Sequence, residues 1–265
     1  MRVNFLVAAL LLFSATGFAH EYWLEPESFF LAPNQKTIVR LFVGDGLIKD
    51  REERPFQLEK TPMFKIDSRQ GAADLLGGLK DGSLPIYEFG GGKAGNYLLG
   101  MERNWTYITL EPDLFAAYLR EDGMEYIMAE REKLGESKKA GRERYSRYIK
   151  ALLQVGDVRD ETYKKKLGLK LELIPLENPY AKKVGDKISF QVLFDGKPLA
   201  GRTVFADNRE SETQKMTTDS KGRFSFKLDN KGLWLARLVF MQRCKAECGE
   251  ADWESYWGAF SFGVR

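Results

Sequence analysis

From residue 20 onward, apolar side chains recur mostly at every second position, the period of a strand with one buried face. Segments 20–32 and 36–43 read as two strands divided by the breakers Pro33 and Asn34. The second, Thr37-Ile38-Val39-Arg40-Leu41-Phe42-Val43, is rich in β-branched residues and stops at the turn Gly44-Asp45-Gly46. Segment 58–67 gives a weaker strand. Segments 84–89, 95–102 and 104–110 give three more, set between turns at Gly77-Gly78, Asp81-Gly82 and Gly90-Gly91-Gly92. The period then lengthens. Pro112 and Asp113 suit a first helical turn, and Leu114, Ala117, Tyr118, Met124, Ile127 and Met128 keep helical spacing, with Gly123 as a break. Segment 130–147 is dense in charge and runs into Tyr148, Ile149, Leu152 and Leu153. It reads as a charged connector around Gly135–Gly141 followed by a second helix, with the charges forming a solvated face.

Strand periodicity returns at 169–175 and continues at 187–194, 202–207, 214–218, 224–228, 233–240 and 256–264, with Gly- and Asp-rich turns between. Seven strands at about 8–12-residue spacing predict an antiparallel sandwich of immunoglobulin-like or transthyretin-like type. The expected fold is mainly β, with two β-rich domains and a helical insertion between them. The expected divisions are 20–110 for the N-terminal β domain, 111–153 for the insertion and 169–265 for the C-terminal sandwich, with the boundary at 154–168.

The first nineteen residues break this pattern. Arg2 precedes an apolar run from Phe5 to Phe13, and Gly17 and Ala19 are small. That is the form of a cleavable secretory signal over 1–19, and the run is too short to span a bilayer. The expected location is therefore periplasmic or secreted, with no membrane span once the signal is removed. The 265-residue chain carries 41 basic and 38 acidic residues, a net charge of +3. No basic stripe interleaved with aromatics is present, so no nucleic-acid partner is expected. The two cysteines, Cys244 and Cys248, are four apart. In an oxidising compartment they are a disulfide candidate, and the same spacing suits half of a metal site or a redox pair.

His20 is the sole histidine. Cleavage after Ala19 would make it the N-terminus, where the α-amine and imidazole can chelate one ion together. Two nitrogen donors suit nickel, cobalt, copper or zinc; the other reading is a solvated histidine at a frayed end. No second histidine exists to complete the shell. Asp45 is a candidate, because pairing of 20–30 with 36–43 brings its turn near the start of the first strand; it also suits an ordinary turn. One histidine leaves no room for the usual nucleophilic triads, and the glycine-rich turns lack the Lys-Ser/Thr of a phosphate loop. The five tryptophans suit a core or rim better than a sugar platform, with Trp253, Tyr256 and Trp257 grouped near the cysteines.

Several segments resemble the periplasmic family called domain of unknown function 4198, whose members are often labelled nickel-uptake or NikM-like proteins. The opening His20-Glu21-Tyr22-Trp23-Leu24-Glu25-Pro26 is similar to the family's Ala-His-x-Phe/Tyr-Trp-Leu. Val39-Arg40-Leu41-Phe42-Val43-Gly44-Asp45-Gly46, the segments 117–123 and 142–152, and the runs Leu173-Ile174-Pro175-Leu176-Glu177-Asn178-Pro179 and Leu193-Phe194-Asp195-Gly196-Lys197-Pro198 follow in the family's order. The resemblance implies a periplasmic protein that binds nickel or cobalt for an uptake system; with the sole histidine at the expected cleavage point, the expectation is non-catalytic metal binding and delivery to a membrane transporter component. Family members often carry histidine after the glycine of the second-strand turn. Here that residue is Asp45, which exchanges a nitrogen donor for a hard oxygen. The competing expectation is an extracytoplasmic protein-interaction module with no metal requirement.

Overall fold

A computed structural model describes residues 20–47 and 49–265. The signal segment predicted for 1–19 lies outside the described residues. Seventeen strands and two α-helices are present among those described. The N-terminal half holds β1 (Glu21–Pro26), β2 (Phe30–Leu31), β3 (Thr37–Asp45), β4 (Lys49–Arg54), β5 (Met63–Ser68), β6 (Gly71–Asp74), β7 (Tyr87–Phe89) and β8 (Gly95–Leu110). Helices α1 (Pro112–Glu121) and α2 (Glu125–Lys133) follow, then β9 (Gly141–Val155). The remainder is β10 (Leu171–Pro175), β11 (Lys187–Phe194), β12 (Lys197–Pro198), β13 (Thr203–Asn208), β14 (Gln214–Thr217), β15 (Arg223–Lys227), β16 (Gly232–Arg243) and β17 (Trp253–Val264).

These strands make three sheets. The largest has the order β14-β13-β16-β17-β9-β8-β5-β6, with β2 also on β9. Over it lie a sheet of β1-β3-β4 with β7 on β3, and a sheet of β10-β11-β12 with β15 on β11. In the C-terminal half two sheets pack face to face as a sandwich. Phe190 and Phe226 from one meet Phe260 and Trp234 from the other at ring separations of 5.4 and 5.5 Å. The halves on either side of 154–168 are joined rather than separate in this sheet. β17 pairs in parallel with β9, from Trp253 opposite Glu143 to Ser261 opposite Ala151. One buried apolar cluster accordingly runs through both halves.

Helix α1 begins at Pro112 as read, and the break falls at Gly123. Gly123 has φ +70°, and a Cβ there would lie 2.5 Å from the Thr203 side chain, so both conformation and packing require glycine. The second helix expected to end in Tyr148–Leu153 is corrected: that segment belongs to β9, a central strand. Residues 146–155 are buried on both faces, and a continuous apolar run of that kind has the same periodicity in a helix or in a covered strand. The charged stretch before it is not one solvated face either. Arg131, Glu143 and Arg147 are buried. The weak strand at 58–67 begins instead with a 3-10 turn, Leu58–Lys60, before β5. Segments 95–102 and 104–110 are one strand, β8, carrying a bulge just after Arg103.

Candidate functional site

Strand β1 starts at Glu21, immediately after His20, and lies antiparallel to β3 with Glu21 opposite Gly44. One more step in that register sets His20 across from Asp45. The hairpin thus brings the two candidate metal ligands to the same corner. His20 is half-buried and Asp45 exposed, and the His20 carbonyl accepts a hydrogen bond from Arg147 Nη2 at 3.2 Å. The next residue, Gly46, turns with φ +65° over a buried ionic cluster; a Cβ on it would stand 4.0 Å from Arg237 Nη2 and Asp207 Oδ1.

That cluster went unrecognised in the sequence because its members are far apart in the chain. Arg237 on β16 is paired with the Glu21 and Asp207 carboxylates, and Asp122 Oδ1 lies 3.7 Å from it. Thr213 Oγ1 donates to the free oxygen of Asp207 at 2.7 Å. Burial opposes the Arg237 charge, but Glu21, Asp207 and Asp122 outweigh it and hold its pKa above the ordinary value. Burial and then the Glu21 charge push the Asp122 carboxyl well above the carboxylate range, against the pull of Arg237. Arg237 is met by one oxygen of Glu21 and one of Asp207, which offsets those two charges; His20 and Asp45 remain the candidate donors at this corner.

A second polar group is buried beneath α1. Glu143 Oε1 accepts from Tyr118 at 3.0 Å and from Ser255, while Oε2 has no partner. Trp257 Nε1 donates to Ser255 at 3.0 Å, and its ring stacks on Tyr118 with centroids 6.0 Å apart. Burial raises the Glu143 carboxyl to about 7, although the Ser255 and Tyr118 hydrogen bonds and the Arg147 charge favour the ionised form. Trp253 and Trp257 are core residues under α1 and α2, and Tyr256 belongs to the main core. These rings form no open platform.

Cys244 and Cys248 are bonded to each other, with Cα atoms 6.2 Å apart, inside the usual range for a disulfide. With Glu254 they are the sole group of three or more His, Cys, Asp or Glu close enough to share an ion among the described residues. His20 and Asp45 therefore need a further donor, such as an α-amine or water, to complete a shell. No helix among the described residues is long and apolar enough to cross a membrane.

Among curated proteins, none matches the chain. Among solved structures, it is similar to the fibronectin(III)-like modules of Clostridium thermocellum CbhA. That alignment is 7% identical, covers 91% of this chain and 94% of that one, and has a TM-score of 0.21. The family model described as domain of unknown function, DUF4198, matches residues 17–242, and the chain belongs to that family.

Proposed function

We propose that this is a periplasmic protein that binds one transition-metal ion, of the nickel or cobalt type, at the β1–β3 corner and supports its uptake without catalysis. The observation that carries the reading is the antiparallel register of β1 on β3. It brings the sole histidine of the chain, one residue outside the strand, to the level of Asp45, the last residue of β3. Removal of residues 1–19 would place a free α-amine on that same histidine. Amine, imidazole Nδ1 and carboxylate would then offer two nitrogens and one oxygen, with water filling the remaining positions. Such a set suits borderline cations such as nickel, cobalt, copper and zinc rather than calcium or magnesium. The corner is anchored for the purpose. Glu21 is pinned by Arg237, and the His20 carbonyl by Arg147. An open shell at the surface suits transfer of the ion to a membrane transporter component.

The test is metal titration of protein recovered from the periplasm with its N-terminus verified by mass. H20A is expected to abolish tight binding, and D45A to weaken it. Unchanged affinity in H20A would overturn the proposal and leave the interaction module as the working alternative.

A further inference from the structure

The β8–β9 ladder sets Arg103 directly opposite Arg147. Like charges facing each other across a strand pair are destabilising, and here both residues are buried, 6% and 7% exposed. Neither has a carboxylate within ion-pairing distance among the described residues; buried Lys150 has Glu172, and buried Arg131, which also lacks a carboxylate, is held instead by the Glu136 and Lys139 carbonyls. Each guanidinium is fixed at one end only. Arg103 Nη2 donates to Gln57 Oε1 at 2.6 Å and Arg147 Nη2 to the His20 carbonyl. The buried Arg103 Nη1 and Arg147 Nε have no acceptor. Both cations lie against the ring of Tyr22, with guanidinium carbons 5.2 and 4.1 Å from its centroid. A cation over an aromatic ring recovers part of the lost hydration, but it accepts no further N–H bond. The β8 bulge begins at the next residue, Asn104, and bulges commonly re-aim a strand beside a functional site.

A fold does not ordinarily keep two opposed, desolvated and half-satisfied cations at its centre. We propose that Arg103 and Arg147 form a binding site for a carboxylate group, which enters beside Tyr22 and supplies the missing charge and acceptors. The guanidinium fork matches a planar carboxylate in shape and charge. A small space beside Arg147, walled by Glu21, Tyr22, Leu238 and Trp257 and not reaching Arg103, is about 10 Å³. That is room for roughly one water-sized group, so at most one carboxylate oxygen enters it as the side chains stand. Glu143 does not already fill this role: Oε1 is held by Tyr118 and Ser255, Oε2 has no partner, and neither oxygen is paired with Arg147 or Arg103, although the Arg147 charge is felt at Glu143. The inference does not depend on metal binding at His20.

The probe is sodium formate, titrated calorimetrically into metal-free mature protein, with sodium sulfate holding ionic strength constant. One formate per chain is expected to bind, and Arg103→Met and Arg147→Met are each expected to weaken it at least tenfold. Without formate, R103M is expected to melt no lower than the parent, because one of two opposed charges is gone. Should a Met variant not fold, Arg103→Lys keeps the charge without the fork and is expected to lose several-fold in affinity. Absence of saturable formate binding to the parent protein would overturn the proposal. So would chloride binding as tightly as formate, R103K or R103M binding as the parent does, or an R103M variant that melts lower while its formate affinity is unchanged.

Discussion

Glu143 supplies a prediction whose size can be worked from its surroundings. The carboxyl is buried under α1 among Tyr118, Ser255 and Trp257, with Arg147 further along the same strand and the Asp122 charge near enough to act on Tyr118. Burial raises it from an ordinary value of 4.5 to about 7. Below pH 4.5 the group is protonated in both folded and unfolded chains and contributes no pH dependence. Between 4.5 and 7 the unfolded chain gives up this proton while the folded protein retains it. Stability must then fall as pH rises, and the loss is complete above about 7. At about 1.4 kcal/mol per pH unit the loss from this one group is about 3 kcal/mol. For a protein of this size that corresponds to roughly 6–12 °C in Tm. Asp122 adds a loss of the same sign, and Asp252 and Glu254, whose pKa values are lowered, contribute the opposite sign at lower pH. The difference between parent and Glu143→Gln isolates the Glu143 share. The amide keeps an acceptor for Tyr118 and Ser255, and its unpaired NH2 adds a cost that does not vary with pH. Denaturant unfolding at half-unit steps from pH 4.5 to 8 should show E143Q gaining about 3 kcal/mol on the parent across the window. Parallel curves for the two proteins would refute the burial argument.

Three further outcomes follow from the same structure. Lys150 and Glu172 form a fully buried ion pair at 2.9 Å, and Lys150 Nζ also donates to the Leu173 carbonyl. Lys150→Met should cost about 3–5 kcal/mol by stranding the Glu172 charge, and the double variant K150M/E172L should recover part of it by equilibrium unfolding. A Cβ on Gly141 would lie 2.2 Å from the Phe115 ring. Gly141→Ala should therefore lose about 1–3 kcal/mol through displacement of α1, visible as a lower Tm. Reduction of Cys244–Cys248 opens only a short loop, so the loss of stability should be small; a drop in Tm above about 10 °C on adding a dithiol would contradict that.

The parts of this fold that are written locally were readable in the chain. Pro112 marks the start of α1, Gly123 its end, and the alternation at 187–194 and 224–228 gives β11 and β15. β9 was misread because its charges and its apolar residues each have a second meaning. Arg142 and Arg144 look like one face of a solvated helix until Asp252, just before β17, and Glu254, on it, are brought beside them. The buried run that follows has no polar face to betray its period. The pairing of His20 with the Asp45 turn follows from two adjacent strands and was within reach. The Glu21–Arg237–Asp207 cluster, and Arg103 opposite Arg147, join residues 30 to 216 positions apart. They depend on register across a sheet whose order the sequence does not spell out.

The most direct test of metal binding at the corner begins with the protein exported under its own leader and recovered from the periplasm. Nickel, cobalt, copper and zinc are titrated against two samples, one beginning at His20 and one carrying a single extra residue before it. Tight one-to-one binding in the first and its loss in the second is the expected result, since the extra residue removes the α-amine from His20 and leaves the imidazole and Asp45 untouched. Equal affinity in both samples, or no binding in either, would contradict the assignment.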